Sequence, residues 1–334
     1  MRKIKITKNL RDSVEKFNKE LFVDTRIKSF QLPKDKLSNY LKKIRISRHS
    51  QYHLYVQKII DEYQDILNAD PVKMRTLINE FDAIVPHNHV NKKIVGKKYS
   101  FNEQIVAMLR YEDLRENELP KFLLNSDLRT CVYCNAQSTL AIEPIYYNVT
   151  KRKKRKKVIA KLQLDHYYPK SKYPFLSTSF FNLYPTCANC NLAKGDKNAK
   201  FELYALDDDL EVFNFWIKDE SILDYWINND LESLKIYLDS LNGDIALLHN
   251  HNDLFQIQKV YDSQRDIGEE LVWKHKANPE VYRNMLNKTF SKIFPDQSVI
   301  DRMLIGNYSN PNEVFKRPMA KYTQDIARQL KLIK

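Results

Sequence analysis

Two Cys-x-x-Cys pairs constrain this chain more than any other feature. They are Cys131-Val-Tyr-Cys134 and Cys187-Ala-Asn-Cys190, and they hold all 4 cysteines of the 334 residues. Each pair offers two thiolates from one tight turn, and two such turns complete a tetrahedral four-sulfur set for a structural zinc ion. The bland alternative is four unrelated buried cysteines, but no cysteine falls outside the pairs. Disulfides are disfavoured, because nothing marks the chain as secreted. The separation of the pairs exceeds the common ribbon spacing of roughly 15–20 residues. A further unit must therefore fold between them.

That insert carries the chemistry. Val158, Ala160, Leu162 and Leu164 alternate with mostly polar neighbours, which is strand period. The strand delivers Asp165 and His166 to its end. Pro169 opens a loop through Ser171, Pro174, Ser177 and Ser179, and a second strand is expected at Asn182–Tyr184. Pro185 is expected to end it, with a helix from about Ala188 to Ala199. On that helix Asn191 and Lys194 are three apart, hence on one face. The expected unit is strand–loop–strand–helix, stapled at its base by zinc.

The run Asp165-His166, then Asn182-Leu-x-Pro-x-Cys187-x-x-Cys190-Asn191-x-x-Lys194-Gly195, resembles the HNH endonuclease family, which has a ββα-metal fold. The resemblance covers roughly residues 126–200, about a fifth of the chain. It implies His166 as general base and Asp165 and Asn191 as ligands of the catalytic divalent metal. It also implies Asn182 as the middle asparagine, which holds the active-site loop and orients His166. The third signature position is often histidine in the family; here it is Asn191. That departure favours magnesium or manganese over zinc as the catalytic ion.

Elementary chemistry agrees. Phosphodiester hydrolysis needs an activated water and relief of developing charge. A neutral imidazole near pH 7 can take the water's proton, and one hard cation can carry the charge. Carboxylate and amide oxygens suit Mg²⁺, whereas thiolates suit zinc. The chain is thus expected to separate a structural metal from a catalytic one. Taken alone, an Asp-His dipeptide is an ordinary capping or packing pair.

The net charge of +13 calls for an anionic partner. Lys151, Arg152, Lys153, Lys154, Arg155, Lys156 and Lys157 form one unbroken basic run. The run reads as a solvated hairpin tip or as a contact to nucleic-acid backbone. Its place inside the module favours the second, with Lys194 as a further contact. Such contacts give affinity and salt dependence rather than sequence choice. Nuclear-localisation signals look similar but are non-specific. No apolar run approaches the roughly 20 residues of a membrane span. Basic Met1-Arg-Lys-Ile-Lys-Ile lacks a following apolar stretch, so the expected location is cytoplasmic, with no membrane partner.

Hydrophobic content of 43% marks a globular chain, and only 5 glycines fit a helix-rich one. The expected fold is mainly α with a small central ββα-metal module. Its boundaries are a helical region over 1–125, the nuclease module over 126–202 and a helical region over 203–334. Alternating Lys3-Ile4-Lys5-Ile6 predicts an edge strand or a partner-docking arm. Helical spacing runs from Tyr52 to Ile66. Asp70-Pro71 starts a helix to about Phe81, and Ser100 with Glu103 forms a capping box for a helix to Glu116. His87 and His89 sit in a loop and are read as solvated rather than as ligands. Asp207–Asp209 marks a turn or cap. Further helices are expected at about 219–228, 231–241, 252–275, 279–293, 296–305 and 318–332.

The expected function is a metal-dependent endonuclease, with DNA as substrate. Helical extensions around such a module are similar to the nuclease subunits of Septu-type and related retron anti-phage systems, which implies an ABC-type ATPase partner. No Walker-type phosphate loop occurs in this chain, so any ATPase activity would come from that partner. A stand-alone restriction-like or mobile-element endonuclease is the next reading. A non-catalytic zinc-stapled binding module is the third.

Overall fold

Helix starts follow the capping chemistry in the sequence. In the computed structural model Thr7 accepts from the Leu10 amide and opens the helix Lys8–Phe22. Asp70 accepts from the Lys73 amide, with Pro71 first in the helix Pro71–Ile84. Ser100 and Glu103 close a capping box at the helix Phe101–Met108. The structure describes residues 1–24, 31–96, 98–148, 153–156, 158–290, 293 and 296–334. For 117, 145–148, 153–156, 286 and 287 the backbone alone is described.

The chain is mainly helical with few short strands. The helices Pro33–Leu41, Ile46–Asp61 and Tyr63–Asn68 complete the N-terminal layer. The helix expected to reach Glu116 stops early. Arg110 lies in the left-handed region at φ 63, and a wider π turn follows at Leu114–Glu118. The expected arm at Lys3–Ile6 stays within its own chain. Ile4 and Lys5 pair in parallel with Tyr204 and Ala205.

The single strand expected from Val158 to Leu164 is two strands with different partners. Ile159–Lys161 pairs antiparallel with Leu140–Ile142. Gln163–His166 pairs antiparallel with Leu183–Thr186. The alternation is unbroken in sequence, so nothing local marks the change of partner. Pro185 lies inside the second strand, opposite Leu164, rather than ending it. The following helix is Ala188–Lys194, shorter than expected, and Gly195 terminates it at φ +49. In the basic insert Ile145–Asn148 pairs antiparallel with Lys153–Lys156. Lys151, Arg152 and Lys157 lie outside the described residues.

Two C-terminal expectations change. The stretch 231–241 is not one α-helix: after a 3-10 turn at Leu231–Ser233, Ile236–Ser240 forms an antiparallel strand with Phe213–Ile217. Ile236 is buried and Leu238 half-buried while Tyr237 and Asp239 face out, which is period two. The long helix at 252–275 is three helices, Ile245–Phe255, Ile257–Asp262 and Arg265–Ala277. Gln256 breaks the first from the second at φ 52. The helix Ala320–Gln329 is buried along most of its length.

The core joins these regions around the insert. Phe175, from the loop after His166, stacks on Phe81 at 3.9 Å. Ser179 Oγ donates to the Ile66 carbonyl at 2.6 Å. The N-terminal helices therefore clamp the loop that separates the strands Gln163–His166 and Leu183–Thr186. No helix among the described residues is long and apolar enough to cross a membrane.

Candidate metal centre and the adjoining aspartate–histidine site

The first cysteine turn closes on itself. The Asn135 amide donates to the Cys131 carbonyl at 2.8 Å, and the Cys131 amide to the Gln137 carbonyl at 2.9 Å. Asn135 takes φ 52, a conformation that asparagine tolerates better than most residues. The second turn is a helix start. Cys187 is the N-cap of Ala188–Lys194, and its sulfur accepts from the Cys190 amide at 3.4 Å. The Val132 amide donates to the Pro185 carbonyl at 3.2 Å, which sets the first turn beside the strand that leads into the second.

The four sulfurs are buried and all lie within 4.8 Å of one another. A zinc ion at about 2.3 Å from each ligand places tetrahedral sulfurs about 3.8 Å apart, so the set fits. Electrostatics gives the same answer. Burial pushes the Cys131 thiol up, and hydrogen bonding with Cys131 pushes Cys190 up. Hydrogen bonds with Cys131 pull Cys134 and Cys187 down. Four thiols this close cannot all ionise unless a cation sits among them. Among the described residues this is the one group of three or more histidine, cysteine or acidic side chains placed to hold a metal ion.

Distant residues hold the first turn. Tyr261 Oη donates to the Cys134 carbonyl at 2.6 Å, and His251 Nε2 lies 2.9 Å from the Tyr133 carbonyl. Asn135 Nδ2 donates to Thr130 Oγ1 and to the Val314 carbonyl, both at 2.9 Å. Its Oδ1 accepts from the Lys321 amide at 2.9 Å. The C-terminal helices are thus fastened directly to the cysteine turn.

Asp165 and His166 close the strand Gln163–His166, opposite Tyr184 and Leu183. His166 is 7% exposed, packed rather than presented at an open strand end. Its ring lies 4.5 Å from that of Tyr111, and its Nε2 is 3.0 Å from the Ser177 carbonyl. Burial pushes the imidazole down to about 3, so it is neutral near pH 7. A neutral ring facing a carbonyl through Nε2 carries its proton there and its lone pair on Nδ1. Asn182 is fully buried. Its Oδ1 accepts from the Tyr168 amide at 2.8 Å, and its Nδ2 donates to the Tyr168 and Leu176 carbonyls at 3.2 and 3.1 Å. These bonds span the base of the loop that carries Ser177.

Asp165 is already engaged. Tyr133 Oη donates to its Oδ2 at 2.7 Å, and Lys194 Nζ lies 3.2 Å from Oδ1 and 3.1 Å from Oδ2. Burial raises the carboxyl, with Lys194 and Tyr133 pulling the other way. Tyr133, Lys194 and the His166 backbone N–H already serve this carboxylate, so a divalent ion at Asp165 would have to compete with them. Asn191 is half-buried one turn above Lys194.

The assignment of Lys194 to nucleic-acid contact is overturned, because its side chain has no exposure. Helix spacing puts it near Asn191, but the Lys194 side chain itself turns inward onto Asp165 while Asn191 stays half-buried. His87 faces solvent and pairs with Asp82 at 3.0 Å. Tyr133, Tyr111, His251 and Ser177 were missed as site residues. Only Tyr133 carried a signal, its place between Cys131 and Cys134. Comparison with protein-family models, curated proteins and solved structures finds no match to this chain.

Proposed function

We propose that this chain is a metal-dependent HNH-type endonuclease. The observation that carries the reading is His166, neutral, anchored through Nε2 to the Ser177 carbonyl and left with Nδ1 as its basic atom. A general base needs a fixed tautomer and a free lone pair. Here the loop clamped by Asn182 supplies the fixing carbonyl. In the proposed reaction Nδ1 takes the proton of the attacking water. Asp165 and Asn191 hold a Mg²⁺ or Mn²⁺ ion, which when bound relieves charge on the phosphate and leaving oxygen. The cysteine centre holds zinc as a structural metal and carries no chemistry.

The substrate is DNA, its backbone held by the basic run Lys151–Lys157. The wider proposal is a cytoplasmic anti-phage effector that works with an ABC/AAA-type ATPase. It rests on the sequence resemblance alone, a nuclease-like module flanked by helical regions. A second reading is favoured by one observation. The Lys194 ammonium already occupies Asp165, which suits a non-catalytic zinc-stapled binding module.

A plasmid-nicking assay separates the two. Wild-type protein should cut with Mg²⁺ or Mn²⁺ and not with EDTA. His166→Gln, which keeps a donor for the Ser177 carbonyl, should lose about 10²–10⁴-fold in rate. Wild-type turnover by that variant would overturn the assignment of the base. Absence of cleavage by the intact protein on duplex and single-stranded DNA and on RNA would favour the binding module.

A further inference from the structure

The fully buried Lys194 points to a role that a phosphate contact cannot explain. Its ammonium lies 2.7 Å from the His166 carbonyl and within 3.2 Å of both oxygens of Asp165. It donates to the His166 carbonyl and to Asp165 Oδ1, and the ion pair extends to Oδ2. Its helix starts at Cys187, so the cysteine centre places it. Tyr133, from the other cysteine turn, donates to the same carboxylate. Each half of the metal centre thus sends one side chain to Asp165.

From this geometry we infer that Lys194 is a resident counter-cation. It neutralises Asp165 in the absence of a divalent ion and competes with that ion for the carboxylate. The inference rests on the nuclease reading, since it takes Asp165 as a metal ligand. A buried carboxylate without a partner is strongly unfavourable and would neutralise or unfold its surroundings. Lys194 lets the strand end form ahead of metal binding. The same positive charge opposes an incoming divalent cation, so it lowers the affinity of the site. Lys194 is a positioning residue; it reaches no substrate because it has no exposed surface.

The test is Mn²⁺ binding to the full zinc-loaded chain without nucleic acid, followed by electron paramagnetic resonance. Lys194→Gln keeps donors for Asp165 and the His166 carbonyl but removes the charge. It should bind Mn²⁺ at least about tenfold more tightly than wild type, with zinc content unchanged. Equal or weaker binding overturns the inference. Asp165→Asn should bind at least about tenfold more weakly. If Asp165→Asn binds like wild type, the divalent ion is not held at Asp165, and the metal assignment of the nuclease reading fails together with the inference. If Asp165→Asn loses Mn²⁺ while Lys194→Gln is unchanged, only the inference fails. Should Lys194→Gln unfold without divalent ion, its melting temperature is followed against Mn²⁺. A rise larger than that of wild type supports the competition, and none overturns it.

Discussion

The hydroxyl of Tyr133 donates to Oδ2 of Asp165 at 2.7 Å. Tyr133 lies between two zinc-type ligands in sequence, and its ring stacks on Phe255 at 4.4 Å. Its carbonyl is held by His251. The residue is therefore fixed at three points, and its hydroxyl ties the carboxylate to the cysteine turn. A structural centre and a candidate catalytic group are here joined by one side chain.

Tyr133→Phe keeps the ring packing and removes only that bond. It leaves a buried carboxylate oxygen short of a donor, at a cost of about 1–3 kcal/mol. Zinc content should stay at the wild-type level while the nicking rate falls about tenfold, through loss of carboxylate orientation. Parallel elemental analysis and nicking rates check this. An unchanged rate would show that Tyr133 serves packing alone.

Cys190→Ser removes one sulfur of the four, in the first turn of the helix that carries Asn191 and Lys194. Bound metal should drop to near zero and the melting temperature should fall sharply, since structural zinc contributes about 10–16 kcal/mol of apparent binding energy in small domains. Elemental analysis and thermal melts read both effects. Finding no zinc in intact wild-type protein would refute the metal assignment itself.

Asn191→Ala should lose cleavage and raise the Mg²⁺ or Mn²⁺ concentration needed for residual activity, with zinc content unchanged. Asp165 is already engaged by Tyr133 and Lys194, so in the proposed site the amide oxygen is a large share of the protein's contribution. Metal titrations of the variant against wild type decide. Matching rate and metal dependence would mean that other residues hold the ion.

Acid should weaken the fold through His251. Burial pushes this imidazole down to about 3, against an ordinary value of about 6.5. Below pH 6.5 or so the unfolded chain takes up a proton that the folded chain refuses. Stability is therefore intact above about pH 6.5 and is lost as pH falls toward 3, by about 1.4 kcal/mol per unit at most. His166 adds a loss of the same sign. In urea melts between about pH 7 and 5, His251→Phe should start less stable, because the Tyr133 carbonyl loses its partner. Its pH slope should nevertheless be shallower by about one proton. Equal slopes would place His251 outside the acid response.

Local signals in the chain were legible where local physics decides. Asp70, Ser100 and Glu103 cap the helices that their types and spacing call for. Local signals do not decide Ile236–Ser240, a short alternating run that becomes a strand by pairing with Phe213–Ile217. They fail at Arg110 and Gln256 as well, where non-glycine residues take left-handed backbone. Neither residue type announces that conformation.

The sequence by itself determined which side chains are gathered. The two cysteine pairs, the strand ending in Asp165 and His166, and the helix start at Cys187 are each set by neighbours a few positions away. The tertiary structure alone decided what those side chains do to one another. Lys194 meets Asp165 across 29 positions and Tyr133 meets it across 32. A lysine after a cysteine turn reads as a surface contact, because lysine is almost never buried without a partner. Here the partner exists only once the helix Ala188–Lys194 has packed onto the strand Gln163–His166. Packing thus converts an expected phosphate contact into the counter-charge of a buried carboxylate.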